Sequence, residues 1–353
     1  MKNKILALLA TIGLASSVTA VEINENISIN GFIDGSWSNS DNDSQTHDTT
    51  DIGLDEIELN FIVSAGNVDG EIHIDHDTNG DLDIEQAHFS YSLENGLTAQ
   101  IGIFGSALGL EGEDPAGLYT FSRAYGNVGG NNLFDLGNID GGQAGEGVLL
   151  SYSTDSVSLS VAAINDISAM EEQQLSTDAN GALGSWDEDN LNYEIALTFT
   201  GIENLVLSAG IRSVNDREGQ VWTDAGLLDG IVQAGELTAI TPADTTTYNI
   251  TAAYTIDKLL IAGEYTNYDP DAAASNDLSA WLLLADYDVN EKLGIAVRYS
   301  EWDTGANTET DKLTIAPNYA ITSSLGAILE YSSQDDNAGN DTDLLALELT
   351  YTF

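Results

Sequence analysis

Period-two alternation governs this chain from residue 26 to its C-terminus. In Ile27-Ser28-Ile29-Asn30-Gly31-Phe32-Ile33-Asp34-Gly35-Ser36-Trp37 the odd positions are apolar or Gly and the even ones mostly polar. The pattern returns in Ile57-Glu58-Leu59-Asn60-Phe61, in Tyr193-Glu194-Ile195-Ala196-Leu197-Thr198-Phe199 and in the final Leu345-Ala346-Leu347-Glu348-Leu349-Thr350-Tyr351-Thr352-Phe353. Successive side chains of a strand point to opposite faces, so each segment reads as a β-strand with one apolar and one polar face. About 16 such segments can be counted, at 26–38, 54–64, 68–76, 83–92, 97–105, 146–153, 156–164, 191–200, 204–213, 246–256, 258–267, 278–289, 292–301, 312–321, 324–332 and 343–353.

The connections alternate in length. Short turns at 65–67, 94–96, 154–155, 201–203, 257, 290–291 and 322–323 are interleaved with longer polar loops at 39–53, 106–145, 165–190, 214–245, 268–277, 302–311 and 333–342. One connection, 77–82, is short where a long one is due. A soluble β-sandwich also alternates, but three features weigh against it. Its strands are typically about 5–6 residues, shorter than those here. The polar faces carry Glu58, Glu71, His73, Glu194, Arg212, Glu264, Arg298, Glu330 and Glu348, charges that a dry core could not hold unpaired. Aromatics cluster near strand ends on the apolar face, with Trp37, Tyr193, Tyr248, Trp281, Tyr299 and Tyr331 toward the long loops. Phe199, Tyr254, Tyr287, Tyr319, Tyr351 and Phe353 lie toward the short turns. Two aromatic girdles suit a barrel that spans a membrane. The expected fold is therefore an all-β, transmembrane, antiparallel up-and-down β-barrel of about 16 strands, with short periplasmic turns and long extracellular loops.

Composition narrows the class further. Lys2 and Lys4 precede an apolar run from Ile5 to Ala15 and a small-residue exit at Val18-Thr19-Ala20, which predicts a signal peptide over 1–20 and a barrel over 21–353. The chain has 58 acids, nine Lys+Arg and a formal net charge of −49, so a nucleic-acid partner is excluded. No apolar stretch approaches the roughly 20 residues of a spanning helix. There is no cysteine, hence no disulfide or thiol chemistry.

The sequence resembles the Gram-negative outer-membrane porins, of general-porin type. The resemblance rests on the terminal alternating strand closed by Phe353, on Asp83-Ile84-Glu85-Gln86-Ala87-His88 through Ile101-Gly102-Ile103-Phe104-Gly105-Ser106-Ala107-Leu108-Gly109, and on Tyr119-Thr120-Phe121-Ser122-Arg123. It implies a passive diffusion channel for small hydrophilic solutes and ions in the outer membrane, commonly a homotrimer amid lipid and lipopolysaccharide. It also implies a third long loop folded inward to constrict the pore.

The Gly-rich segment 106–145 is far longer than a compact fold tolerates without a function. Folded inward, it would set Glu111, Glu113 and Asp114 in the lumen beside Glu58 and Glu71, with Arg123, Arg212 and Arg298 as the few basic groups. A loop that merely caps the mouth is the alternative. Excess lumen carboxylate favours cations, and the arginine cluster usual in general porins has no counterpart on the first four strands. A plugged barrel with an adhesive or structural role and a substrate-selective channel remain competing readings. No enzymatic site is expected: the four histidines have no nucleophile context around them. No cofactor is expected beyond weak Ca²⁺, for which Asp75-His76-Asp77-Thr78-Asn79-Gly80-Asp81-Leu82-Asp83 matches the front of an EF-hand-type loop. Asp75, Asp77, Asn79, Asp81 and Asp83 are its candidate ligands. The competing reading is a plain Asn79-Gly80 hairpin turn.

Overall fold

The computed structural model describes residues 20–43, 48–77, 82–112, 114–126, 128, 132–137, 145–165, 191–215, 244–270, 277–305, 308–337 and 339–353, and the backbone of four short strands between 219 and 240. The leader expected at 1–20 lies, except for Ala20, outside the described residues.

Sixteen antiparallel strands close into one barrel. They are β1 (Ile27–Asn42), β2 (Thr49–Ala65), β3 (Val68–Asp77), β4 (Asp83–Ser92), β5 (Leu97–Phe104), β6 (Gly145–Ser153), β7 (Val157–Asn165) and β8 (Leu191–Ile202). Then follow β9 (Leu205–Val214), β10 (Thr245–Ile256), β11 (Leu259–Pro270), β12 (Leu278–Asp288), β13 (Leu293–Gly305), β14 (Thr308–Ala320), β15 (Leu325–Asp336) and β16 (Asp341–Thr352). Each pairs with its sequence neighbour, and β16 returns to β1 in a register running from Phe32↔Thr352 to Asn42↔Thr342. Closure leaves the barrel no free edge, the condition for a sheet to cross lipid. A short strand, Val21–Asn24, adds to the start of β1.

Burial is inverted relative to a soluble protein. Leu283, Tyr254, Tyr287, Leu329, Leu347 and Tyr351 are among many large apolar side chains on the outer surface, whereas Asp34, Glu58, Glu194, Glu264, Arg298, Glu330 and Glu348 are buried on the inner one. Tyr254, Tyr287, Tyr319 and Tyr351 sit at the short-turn ends of their strands, opposite Leu205, Leu259, Leu293 and Leu325 respectively.

Several strands run further on the long-loop side than the alternation indicates. The loops expected at 39–53, 302–311 and 333–342 contract to 43–48, 306–307 and 337–340, so the 77–82 connection is no exception to a rule of long loops. The reason is physical: beyond the lipid both faces of a strand meet water, and the ladder continues without needing an apolar side. Between β9 and β10, the segment expected to be a plain loop at 214–245 contains two small antiparallel pairs, Gly219–Thr223 with Glu236–Ile240 and Leu227–Leu228 with Ile231–Val232.

Candidate functional site

The segment between β5 and β6 lies against the inner wall, bonded to it at successive points. Its first residues dock on β8: Ser106 Oγ donates to Glu194 Oε2 at 2.7 Å and the Ala107 N–H to Oε1 at 2.7 Å. The Gly109 N–H then donates to Asn249 on β10 at 3.3 Å, and the Leu110 N–H to Glu264 on β11. Further along, the Ser122 N–H donates to Glu330 on β15 at 3.0 Å, and the Ser122 hydroxyl to its other oxygen. Two limbs of the segment cross at Glu111. Gly109 holds φ +100° there, and a Cβ on Gly137 would stand 2.0 Å from the Glu111 carbonyl oxygen, so glycine is required at both positions.

Arg298 on β13 organises the crossing. Its guanidinium donates to the Glu111 carboxylate, to Thr120 Oγ1 at 2.7 Å, and to the carbonyl oxygens of Ser122 and Arg123 at 2.7 and 2.9 Å. The planar fork of five N–H donors suits several acceptors at once. Alongside it, Ser300 donates to the Ala124 carbonyl at 2.6 Å and Lys312 Nζ to the Arg123 carbonyl at 3.1 Å.

An apolar core inside the barrel completes the docking. Ala124, Tyr125, Val128 and Phe134 pack on the inner faces of β10–β15, where Ala253, Ala262, Ala280, Ala296 and Ala316 leave room for them beside Leu282, Leu284, Trp302 and Ile328. Tyr125 meets Phe134 and Trp302 edge-on, with centroids 6.0 and 6.2 Å apart, the geometry that aromatic quadrupoles favour. The Tyr125 hydroxyl donates to Glu264 at 3.1 Å. Burial, then the nearby Glu264 charge, raises its pKa well above the usual phenol value, so it remains a donor.

A cavity of about 540 Å³ lies between this segment and the opposite wall. His73, Gln86, Gln100, Thr198, Ser208 and Thr251 line it from the strands, and Glu111 and Asp114 from the segment. The candidate pore residues thus separate into groups. Glu58, His73 and Glu85, on β2, β3 and β4, bring their ligand-type atoms within 4.8 Å of one another. Glu71 reaches His73 at 3.4 Å, and Asp114 shares a hydrogen bond with Glu58. Burial first, and then the charge of Glu58, lifts the Asp114 pKa well above the usual carboxylate range. Glu111 is not the free constriction charge that its position in the loop suggests, because it is ion-paired with Arg298. Arg123 pairs with Asp135 at 3.5 Å, and Arg212 stands opposite Glu194 across the β8–β9 ladder. Glu113 lies outside the described residues.

Of the calcium-loop candidates, Asp75, Asp77 and Asp83 fall among the described residues. β3 continues to Asp77 and β4 begins at Asp83, so Asp75 and Asp83 face each other across a ladder, Asp75 buried and Asp83 exposed. Asn79 and Asp81 lie outside the described residues. Three residues that matter most to the segment's position, Glu194, Glu264 and Glu330, are legible in sequence only as polar-face acids. Nothing local marks them as acceptors for a loop that begins between 88 and 224 positions earlier.

Residues 57–353 match the family described as "Putative beta-barrel porin-2, OmpL-like". No curated protein sequence matches the chain. Among solved structures, the outer membrane channel DcaP of Acinetobacter baumannii superposes with a TM-score of 0.64 at 15% identity, covering 95% of this chain and 100% of that one. A loop L8 deletion mutant of OmpT, an outer membrane protein of Vibrio cholerae, gives 0.62 at 16% identity, covering 93% and 99%. An anion-selective porin from Comamonas acidovorans gives 0.64 at 11% identity, again covering 93% and 99%. These likenesses show a shared fold. With the match across 57–353, they establish that the chain belongs to the OmpL-like β-barrel porin-2 family.

Proposed function

We propose that the protein is a cation-preferring diffusion channel of a Gram-negative outer membrane. The barrel sits in that membrane; its ion preference is our inference. One observation carries it: among the described residues, the basic groups facing the lumen are already engaged. Arg298 is fully buried against Glu111 and backbone carbonyls, Arg123 faces Asp135, Arg212 faces Glu194, and Lys312 is turned to the Arg123 carbonyl. The open cavity has Asp114 and His73 at its wall, and Glu58, Glu71 and Glu85 gather around that histidine, a surplus of acid that draws cations into a narrow aqueous path. This charge distribution contrasts with the selectivity of the Comamonas porin, which shares only the fold.

Reversal potential across a KCl gradient tests the reading, using refolded full-length protein in planar bilayers. A cation-side potential at low salt is expected. An anion-side potential overturns the preference, and a silent bilayer overturns the channel in favour of a plugged barrel. We further infer a homotrimer, as one V. cholerae OmpT structure is described as a trimer form; chemical cross-linking in detergent should give three-chain species.

A further inference from the structure

Glu58 is only 1% exposed, and apart from the proton it shares with Asp114 and the facing His73 ring, neither of its carboxylate oxygens has a hydrogen-bond partner among the described residues. Its neighbours are other titratable groups. His73 Nδ1 stands 3.0 Å from Oε1, the Asp114 carboxyl comes down from the inward segment, and Asp75 is opposite it on β3. A buried carboxylate that leans only on other titratable groups is costly. The histidine does not resolve this alone. Its Nε2 faces Glu71 at 3.4 Å and its Nδ1 faces the Gln86 amide at 3.3 Å. With the proton on Nε2, the Nδ1 lone pair points at the Glu58 carboxylate, and the space between them suits either a second ring proton or a coordinated cation.

Glu85 is directed into the same place by a β-bulge. His73 opposes Gln86 and Ile74 opposes Ile84, so Glu85 is the extra residue of β4. Both Glu85 and Gln86 consequently turn to the lumen, the re-aiming that bulges achieve. We propose that Glu58, His73 and Glu85, closed from the loop side by Asp114, bind a divalent first-row transition ion such as Zn²⁺.

One imidazole with carboxylates is a donor set for such an ion more than for Ca²⁺, which takes oxygen only. Two donors on a tetrahedral Zn²⁺ with bonds of about 2.1 Å stand about 3.4 Å apart. The 3.0 Å separation of Glu58 and His73, and the 4.8 Å limit for the trio, lie close to that spacing. Glu71 would be a positioning residue: accepting from Nε2–H, it fixes the tautomer that leaves Nδ1 for the ion. His73, Gln86 and Asp114 line the open cavity, which supplies an access path. Carboxylate and imidazole ligands bind an ion in their deprotonated forms, so binding releases protons.

The test is calorimetric titration of refolded full-length barrel with ZnCl2, in excess MgCl2 to occupy the outer acids. One saturable ion per chain is expected, with affinity rising as pH rises. His73→Asn should weaken it at least about tenfold and Glu71→Gln roughly 10–100-fold, whereas Asp83→Asn, on the exposed side of the hairpin, should leave it unchanged. Should His73→Asn fail to fold, Co²⁺ added to the wild type should give the intense visible bands of a four-coordinate site. A pale six-coordinate spectrum, no saturable site, or full binding by His73→Asn overturns the proposal. Binding is read without current, so its failure is distinct from failure of the channel reading.

Discussion

Arg298 and Glu111 form an ion pair across 187 positions of sequence, joining β13 to the segment that occupies the lumen. Arg298 is fully buried and Glu111 nearly so. Removing one partner of such a pair strands the other charge, at a cost of roughly 3–5 kcal/mol. Arg298→Met should therefore release the segment from the wall. Larger and noisier single-channel conductance and faster proteolysis within 105–144 are expected. Unchanged conductance and protection would mean that the segment is held without this pair.

Phe134 tests the apolar half of the same docking. It is 1% exposed in the core formed with Tyr125 and the wall alanines. Phe134→Ala should cost about 3–5 kcal/mol of local stability, visible as faster hydrogen exchange in 105–137 while the strand ladders stay protected. Filling Ala280 or Ala296 with Leu should displace the segment similarly, by loss of space.

Asp114 sets a pH dependence whose sign follows from its raised pKa. In chelator, its contribution to docking is complete below the ordinary carboxylate value near 3.9 and is lost as pH rises through the raised one. Glu58, His73 and Glu85 face it from β2, β3 and β4, with Asp75 opposite Glu58 and Glu71 beside His73. Protection of the segment from protease should fall with rising pH in wild type, and Asp114→Asn should flatten the profile. Protection that increased with pH would contradict the assignment.

Like charges oppose one another above the outer aromatics. Glu301 faces Asp311, Asp311 faces Asp335, and Asp335 faces Asp341, while Asp41 faces Asp343. Directly opposed like charges destabilise a ladder. Asp335→Asn should modestly raise the unfolding midpoint at low salt. The gain should vanish near 1 M salt, where the screening length is about 3 Å.

The sixteen strands, their inner and outer faces and the short turns are all legible in the sequence, because lipid outside and water inside impose a period of two on every crossing. The signal fails where that imposition ends. Asp303, Glu309, Asp335 and Asp341 look like loop because both faces of those extensions are wet. The run Leu282-Leu283-Leu284 looks like a break in alternation because its inward leucines are explained only by the segment that covers them. The placement of that segment was decided by tertiary structure alone: Glu194, Glu264, Arg298 and Glu330 become its anchors only once barrel closure brings strands far apart in sequence around one lumen. The same holds for the Glu58–His73–Glu85 group. Sequence spacing draws attention to the neighbouring aspartates of the hairpin, whereas only pairing across β2, β3 and the bulged β4 converges these three side chains on one point.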